Sequence, residues 1–471
     1  MFFLSQTLSL MLADRSPAEP LLREAAHRAE GLGKPILASW TRPSAVHDAI
    51  GFFTQADTHE QKIDRTLWLR PSTGEALVGV GAARVLTGTG VDRFAQVSAA
   101  WQELLADAVV DDQSGAAEGG PLLVGGFRFD PLRQPSKTWK AFTEGADARL
   151  VLPERLLVLR GGAAWLTTNV VVSPAHWPPD PSQNRAAADV SRPASEQAPL
   201  SPNAWKALTG SVARGIRHGQ LGIAKVVLAR ALEVHHSQPI DTVAALRELA
   251  ATYPSTTVFA FAHKDARFLG ATPERLIVLH HGTASTMALA GSIDRGATPA
   301  EDQALSEKLL HDPKERAEHA VVVGALRDGL AQVCSRIVAD AEPRVHKLPN
   351  LQHLLTPIRG QVTPGHGVLD LVERLHPTPA MGGFPRQPAL ELIRATEGLD
   401  RGWYAGPIGW VNRDGEGEFV VGIRSALVQG SSATLFAGCG IVAESNAAAE
   451  YAESDWKLKP MLGALGLGEQ P

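Results

Sequence analysis

At 471 residues, with 44% hydrophobic and 20% charged side chains, the chain has an ordinary globular composition and enough length for one large core or two domains. A formal charge of -5 gives no support for a nucleic-acid partner, and no run approaches the roughly 18 apolar residues of a membrane span. Only Cys334 and Cys439 occur, too few for a disulfide framework or a cysteine metal motif, so a reducing compartment is expected and the cytoplasm is the natural location.

The opening MFFLSQTLSLMLADR is partly apolar but short and lacks a basic leader, so it is expected to be the first helix or strand, not a signal peptide. GLGKPILASW ends in a strand candidate, and FAQVSAAWQELLADAVV has helical periodicity. GGPLLVGGFRFD, from Gly119 to Asp130, reads as a glycine-punctuated strand. LPERLLVLR and AWLTTNVVV resemble paired strands. Residues 1–172 thus form an N-terminal part in which nothing catalytic stands out. The stretch 173–202 is rich in proline and small polar residues, as a loop or linker would be. Residues 203–471 return to dense regular structure. A helix is expected from Trp205 to His218, then strands at IAKVVLARALEV, TTVFAFAH, RLIVLHH and, briefly, MALAGS. Helical periodicity follows from about Asp302 to Ile337. WYAGPIGWV, GEFVVGIRSALVQ and ATLFAGCGIV are the last strands before a helix from Ala447 to about Leu465. Strands and helices without regular βαβ alternation favour an α+β fold with antiparallel sheet.

Several polar residues in this second half need an explanation. Lys225 sits among apolar neighbours in IAKVVLAR. It is either a solvent-facing lysine of a half-buried strand or a lysine in a cleft, where burial lowers its pKa enough for base chemistry. Glu274, in LGATPERL, lies just after a strand behind a Gly and a Pro that can shape a turn, and reads by itself as a surface carboxylate or a partner of Arg275. Glu318 lies on a helical run. Glu450 and Glu453, three apart on the last helix, share a face and suit a hard cation such as magnesium, although exposed glutamates three apart are common without one. Arg424 and Lys457 supply positive charge, and Tyr404 a hydroxyl donor. MGGF and AGCG lack the spacing of phosphate-binding loops, and His311, His319, His353 and His376 show no zinc spacing.

Taken together, KVVLAR, FLGATPERL, ALAGS, KERAEHAVVV, LQHLLTPIRG, LHPTPAMGGFPR, WYAGPIGW, GEFVVGIRSAL and FAGCGIVAESNAAAEYAESDWKL occur in one order. In this they resemble the chorismate-utilising enzymes, a family of isochorismate, salicylate, anthranilate and aminodeoxychorismate synthases. The resemblance runs from about Asn203 to Leu465 and is weaker around GGFRFD. It implies an α+β fold of large, mostly antiparallel sheets packed in a sandwich with outer helices, as in anthranilate synthase component I. It implies Lys225 as the base that activates water and Glu274 as the acid that assists loss of a ring hydroxyl. It also implies Glu318, Glu450 and Glu453 around Mg2+, and Tyr404, Arg424, Lys457 and His353 near the substrate. Gly270, Gly438 and Gly440 are implied where backbone approaches the ligand.

Within the family, Lys225 is the kind of residue that ammonia-using members lack. Ala290 stands where aminodeoxychorismate synthases carry lysine. Both favour water addition, giving isochorismate from chorismate, with salicylate synthase, anthranilate synthase and a non-catalytic binder as the alternatives. No glutamine-amidotransferase domain is recognisable, and no obligate partner subunit is expected. The chemistry demands a neutral lysine and a protonated glutamic acid, although their ordinary values lie near 10.4 and 4.3. The menaquinone and siderophore pathways both use such a product.

Overall fold

In this computed structural model, residues 18–55, 63–115, 119–174, 200–347 and 351–467 are described. The opening stretch MFFLSQTLSLMLADR and most of the Pro-rich segment lie outside them. Runs of Val, Leu, Phe and Ala, too short for helices and bounded by glycine turns, produce two large sheets. The first has 12 strands in the order Gly383–Phe384, Lys225–His235, Ser432–Ile441, Ser425–Gln429, Ala266–Thr272, Thr257–His263, Arg65–Arg70, Glu75–Val80, Arg155–Arg160, Ala163–Val172, Ile36–Pro43 and Val109–Asp112. The second runs from Cys334–Ala339 through Leu351–Val362, Thr283–Asp294, Arg275–His280, Gly417–Val421, Pro407–Asn412, Leu122–Phe127 and Ala148–Leu152 to Arg84–Gly88. Pairing is antiparallel except where Ile36–Pro43 meets Val109–Asp112.

The inner faces pack together through Trp68, Phe259, Phe261 and Phe268 of the first sheet and Leu122, Val124, Ile408 and Trp410 of the second. Helices cover the outer faces. Arg93–Ala106, Pro313–Ala331 and Val368–Leu375 bury Trp101, Leu326 and Val372 against the second sheet. Ala49–Gln55, Thr242–Thr252 and Ala447–Ala464 bury Phe53, Leu246 and Met461 against the first. This is the expected α+β sandwich. Both sheets mix strands from residues 1–172 with strands from the second half: Arg65–Arg70 pairs with Thr257–His263, and Leu122–Phe127 with Pro407–Asn412.

Two elements differ from the sequence expectation in ways that shape the site. The helical run expected from Asp302 to Ile337 is broken into Pro299–His311 and Pro313–Ala331, followed by strand Cys334–Ala339. Pro313 cannot continue the earlier helix, and the Asp312 side chain caps the next one by accepting from the N–H groups of Lys314 and Glu315. GEFVVGIRSALVQ, expected as one strand, is two. Gly417–Val421 belongs to the second sheet and Ser425–Gln429 to the first, so Gly422 to Arg424 is a crossover between the sheets. Arg424 adopts φ of 51°, a left-handed conformation that a strand interior does not contain.

Candidate active site

The same crossover device occurs at Glu274. Strand Ala266–Thr272 lies in the first sheet and Arg275–His280 in the second, and Pro273 and Glu274 bridge them. Two inter-sheet passages thus deliver an acid and an arginine to one place. The Val421 N–H donates to the Glu274 carbonyl at 3.0 Å and the Ala271 N–H to the Arg424 carbonyl at 3.1 Å, which ties the passages side by side.

They open into a cavity of about 130 Å³, lined among others by Lys225, Glu274, Ser292, Glu318, His353, Arg401, Tyr404, Arg424, Glu453 and Lys457. A slightly larger cavity, about 160 Å³, lies elsewhere between the sheets, where Arg70 and Arg275 contact Glu418. It contains neither Lys225 nor Glu274, so the smaller one is the candidate site.

Lys225 opens its strand, and its Nζ lies 2.5 Å from Glu318 Oε1. Gly440, on the neighbouring strand, makes this possible: a Cβ there would sit 2.6 Å from Lys225 Cε. Buried Glu397 fixes the same strand by accepting from the Ala229 N–H at 2.8 Å while it pairs with Arg401 at 2.6 Å. Burial pushes the Glu318 carboxyl up, but the charge and hydrogen bond of Lys225, with Lys314 and Lys457 behind them, together hold the group below its ordinary value.

Glu274 behaves oppositely. Burial raises its carboxyl to about 7, even though Lys225, Arg424 and Lys457 pull it down. A carboxylic acid near neutrality is therefore part of the pocket. His353 is pushed down to about 3 by burial and by Arg424 and Lys457, so it stays neutral, with Nδ1 at 2.8 Å from Ser292 Oγ. The Tyr404 phenol, stacked on Phe436 with centroids 5.1 Å apart, is pushed up to about 12 by burial and remains a hydroxyl. Lys457 donates to the Gly438 carbonyl at 2.9 Å and pairs with Glu453 at 2.6 Å. Buried Arg424 Nη1 has no hydrogen-bond partner among the described residues. An orphaned guanidinium donor facing a cavity is free to take an acceptor such as a carboxylate.

A hard cation requires clustered oxygen donors. Glu450 and Glu453 lie on the first turns of helix Ala447–Ala464, which Asn446 caps at Ala448 and Ala449. Their carboxylates and Cys439 Sγ come within 4.8 Å of one another. Burial, and then the charge of Glu453, raises Glu450, a mismatch that a bound cation relieves. Cys439 is pushed up to about 12 by burial and donates to the Glu450 carbonyl at 3.1 Å, so it is a thiol and no competitor for magnesium. The glutamate oxygens therefore fit Mg2+. Glu318 faces the cavity from the other helix but is turned toward Lys225.

The structure therefore brings Lys225, Glu274, Glu318, His353, Tyr404, Arg424, Glu453, Lys457, Gly438 and Gly440 to one cavity, with Glu450 beside Glu453. Gly270 stands outside that lining, and its missing Cβ lets the Arg424 carbonyl approach, at 2.4 Å from where a Cβ would stand. Ser292 and Arg401 were not singled out from the sequence. The ALAGS motif held the signal for Ser292, and none marked Arg401.

A buried acid, a lysine and an unpaired arginine around a small cavity in a two-sheet sandwich define an enzyme site for an anionic small molecule. Residues 24–466 match the model of the chorismate binding enzymes, and the chain belongs to that family. It is similar to the isochorismate synthase MenF of Bacillus subtilis, with 34% identity covering 94% of this chain and 96% of the relative. It is also similar to the salicylate biosynthesis isochorismate synthase of Pseudomonas aeruginosa, with 36% identity covering 94% of each. The solved structure of the menaquinone-specific isochorismate synthase MenF of Escherichia coli shares the fold, with a TM-score of 0.73 at 24% identity over 96% of this chain and 98% of that one.

Proposed function

We propose that the protein converts chorismate to isochorismate, and that it does so with magnesium. The observation that carries the chemistry is the pairing of a buried carboxylic acid, Glu274, with Lys225 at one cavity. Replacing the C4 hydroxyl of chorismate by a hydroxyl at C2 requires water to lose a proton and hydroxide to gain one. Lys225, in its neutral form, takes the proton of the attacking water. Glu274 gives its proton to the departing C4 oxygen as the ring double bonds shift. One C–O bond forms and one breaks, and the reverse reaction returns each proton by the same two groups.

The substrate is a dianion. The unpaired Arg424 donor suits one carboxylate in a fork geometry, with the Tyr404 hydroxyl nearby. The neutral imidazole of His353 adds no charge that would pull the ring out of line. Glu318, Glu450 and Glu453 would hold magnesium, which when bound supplies positive charge for the other carboxylate and draws electron density toward it. The relatives named isochorismate synthase along nearly the whole chain support the same product.

The test is incubation with chorismate, with and without Mg2+, followed by product separation. Isochorismate formed only with the metal is the expected result. Salicylate with pyruvate, anthranilate with ammonium present, or no turnover would overturn it.

A further inference from the structure

Strands Arg275–His280 and Thr283–Asp294 are joined by the two residues His281 and Gly282, both at positive φ, 47° and 71°. A two-residue hairpin demands such angles, and glycine or asparagine usually supplies them, so a histidine at the first position is costly by local preference. Its effect is to carry the His281 ring to the side of His280, whereas adjacent residues on a strand point to opposite faces. The two ring centroids are 4.0 Å apart.

A third group arrives from the neighbouring hairpin. Strand Gly417–Val421 pairs with Arg275–His280, and Glu416 stands just before it. The Asn412 side chain fixes this turn by accepting from the N–H groups of Asp414 and Glu416, each at 2.9 Å. Glu416 Oε1 accepts from the Gly282 N–H at 3.0 Å, which leaves Oε2 turned toward His280 Nδ1 at 3.6 Å. One donor atom from each of His280, His281 and Glu416 lies within 4.8 Å of the others.

We propose that His280, His281 and Glu416 bind a borderline divalent transition-metal ion, Zn2+ by preference, at a site separate from the chorismate cavity. Two imidazoles and a carboxylate are the donor set of such ions, and a hard cation would not select them. Tetrahedral zinc at roughly 2.0–2.1 Å from each ligand puts neighbouring donors about 3.3 Å apart, so small side-chain rotations close the set. The ion clips the far ends of two strands whose near ends lead to Glu274 and Arg424; Glu274 is six residues from His280, about 20 Å at the rise of a strand. Its role is therefore to brace the sheet, not to take part in the reaction.

The probe is Co2+ titrated into the full chain with Mg2+ in excess, followed by the visible d–d absorption of the cobalt, with Zn2+ as competitor. His281→Gly keeps the turn and removes the imidazole, Glu416→Gln keeps the Gly282 contact, and His280→Ala removes the third donor. Wild type is expected to give a saturable four-coordinate spectrum that Zn2+ displaces, and each variant to lose roughly 100-fold or more in affinity. Zn2+ should also raise the thermal midpoint of wild type and not that of His281→Gly. Unchanged isotherms in His281→Gly and His280→Ala, or wild-type binding only at millimolar metal, would overturn the site.

Discussion

Lys225 Nζ and Glu318 Oε1 are 2.5 Å apart, joining a strand of the first sheet to a helix that covers the second. The proposed base and a proposed metal ligand are therefore partners before any substrate arrives, and magnesium must compete with the ammonium for one carboxylate. Lys225→Ala is expected to lose turnover by about 100- to 10,000-fold. The same variant should bind Mg2+ at least as tightly as wild type, because Glu318 is released. Calorimetric metal titration beside steady-state rates measures both, and weaker metal binding in this variant would remove Glu318 from the ligand set.

Glu274→Gln retains size and hydrogen bonding but has no proton to give. Turnover should fall by about 100- to 10,000-fold while chorismate still binds. With the wild-type acid near 7, the rate should decline as pH rises through neutrality, on the limb assigned to Glu274. Kinetic pH profiles and ligand titration separate this from misfolding. A normal rate in the variant would end the acid assignment.

The same buried acid makes a stability prediction. Its folded value of about 7 lies above its ordinary 4.5, so its contribution to stability is complete below pH 4.5 and is lost as pH rises through 7. Glutamine carries no such loss. Glu274→Gln should therefore gain on wild type as pH climbs from 4.5 to 7, by up to about 3 kcal/mol. Denaturant midpoints across that range would show a widening gap. A constant gap would mean that Glu274 is solvated.

Arg424→Ala should raise KM for chorismate by roughly 10- to 100-fold, because a charge-assisted contact to a carboxylate is lost. Arg424→Lys should recover only part of this, since an ammonium cannot present two parallel N–H donors. Near-equal, wild-type KM values for both would take Arg424 out of substrate binding.

Glu450→Gln and Glu453→Gln should each weaken Mg2+ by at least about 10-fold. The two differ in a second respect, because Glu453 also pairs with Lys457 at 2.6 Å. Glu453→Gln should therefore disturb chorismate affinity as well, whereas Glu450→Gln should act on the metal alone. Measuring Mg2+ and chorismate dependence for both variants distinguishes the two roles.

Much of the site is legible in the sequence because each motif carries its own residue: FLGATPERL supplies Glu274 and KVVLAR supplies Lys225. Strand identity was equally open to reading, since Arg155–Arg160 and Ala163–Val172 pair as expected. Which sheet a strand joins was not. GEFVVGIRSALVQ looks continuous because Gly422 and Ile423 are tolerated in a strand, and only three-dimensional packing sends the two halves to different layers. Partnerships across long separations are hidden for the same reason. Nothing local announces that Lys225 meets Glu318, or that Gly270 makes room for the Arg424 carbonyl. His281 escaped notice because neighbouring strand residues ordinarily diverge, and the turn reverses that rule.

The pairing of Arg65–Arg70 with Thr257–His263 has a consequence for biosynthesis. On the ribosome the first of these strands emerges nearly two hundred residues ahead of its neighbour, a wait of roughly 10 to 40 seconds at ordinary elongation rates. Until then its outer hydrogen-bonding edge stands open to any other extended segment. The nascent chain is thus most vulnerable to mispairing in mid-translation. The helix bearing Glu450 and Glu453 follows every strand of both sheets in chain order, so the cavity is complete only once that helix has emerged.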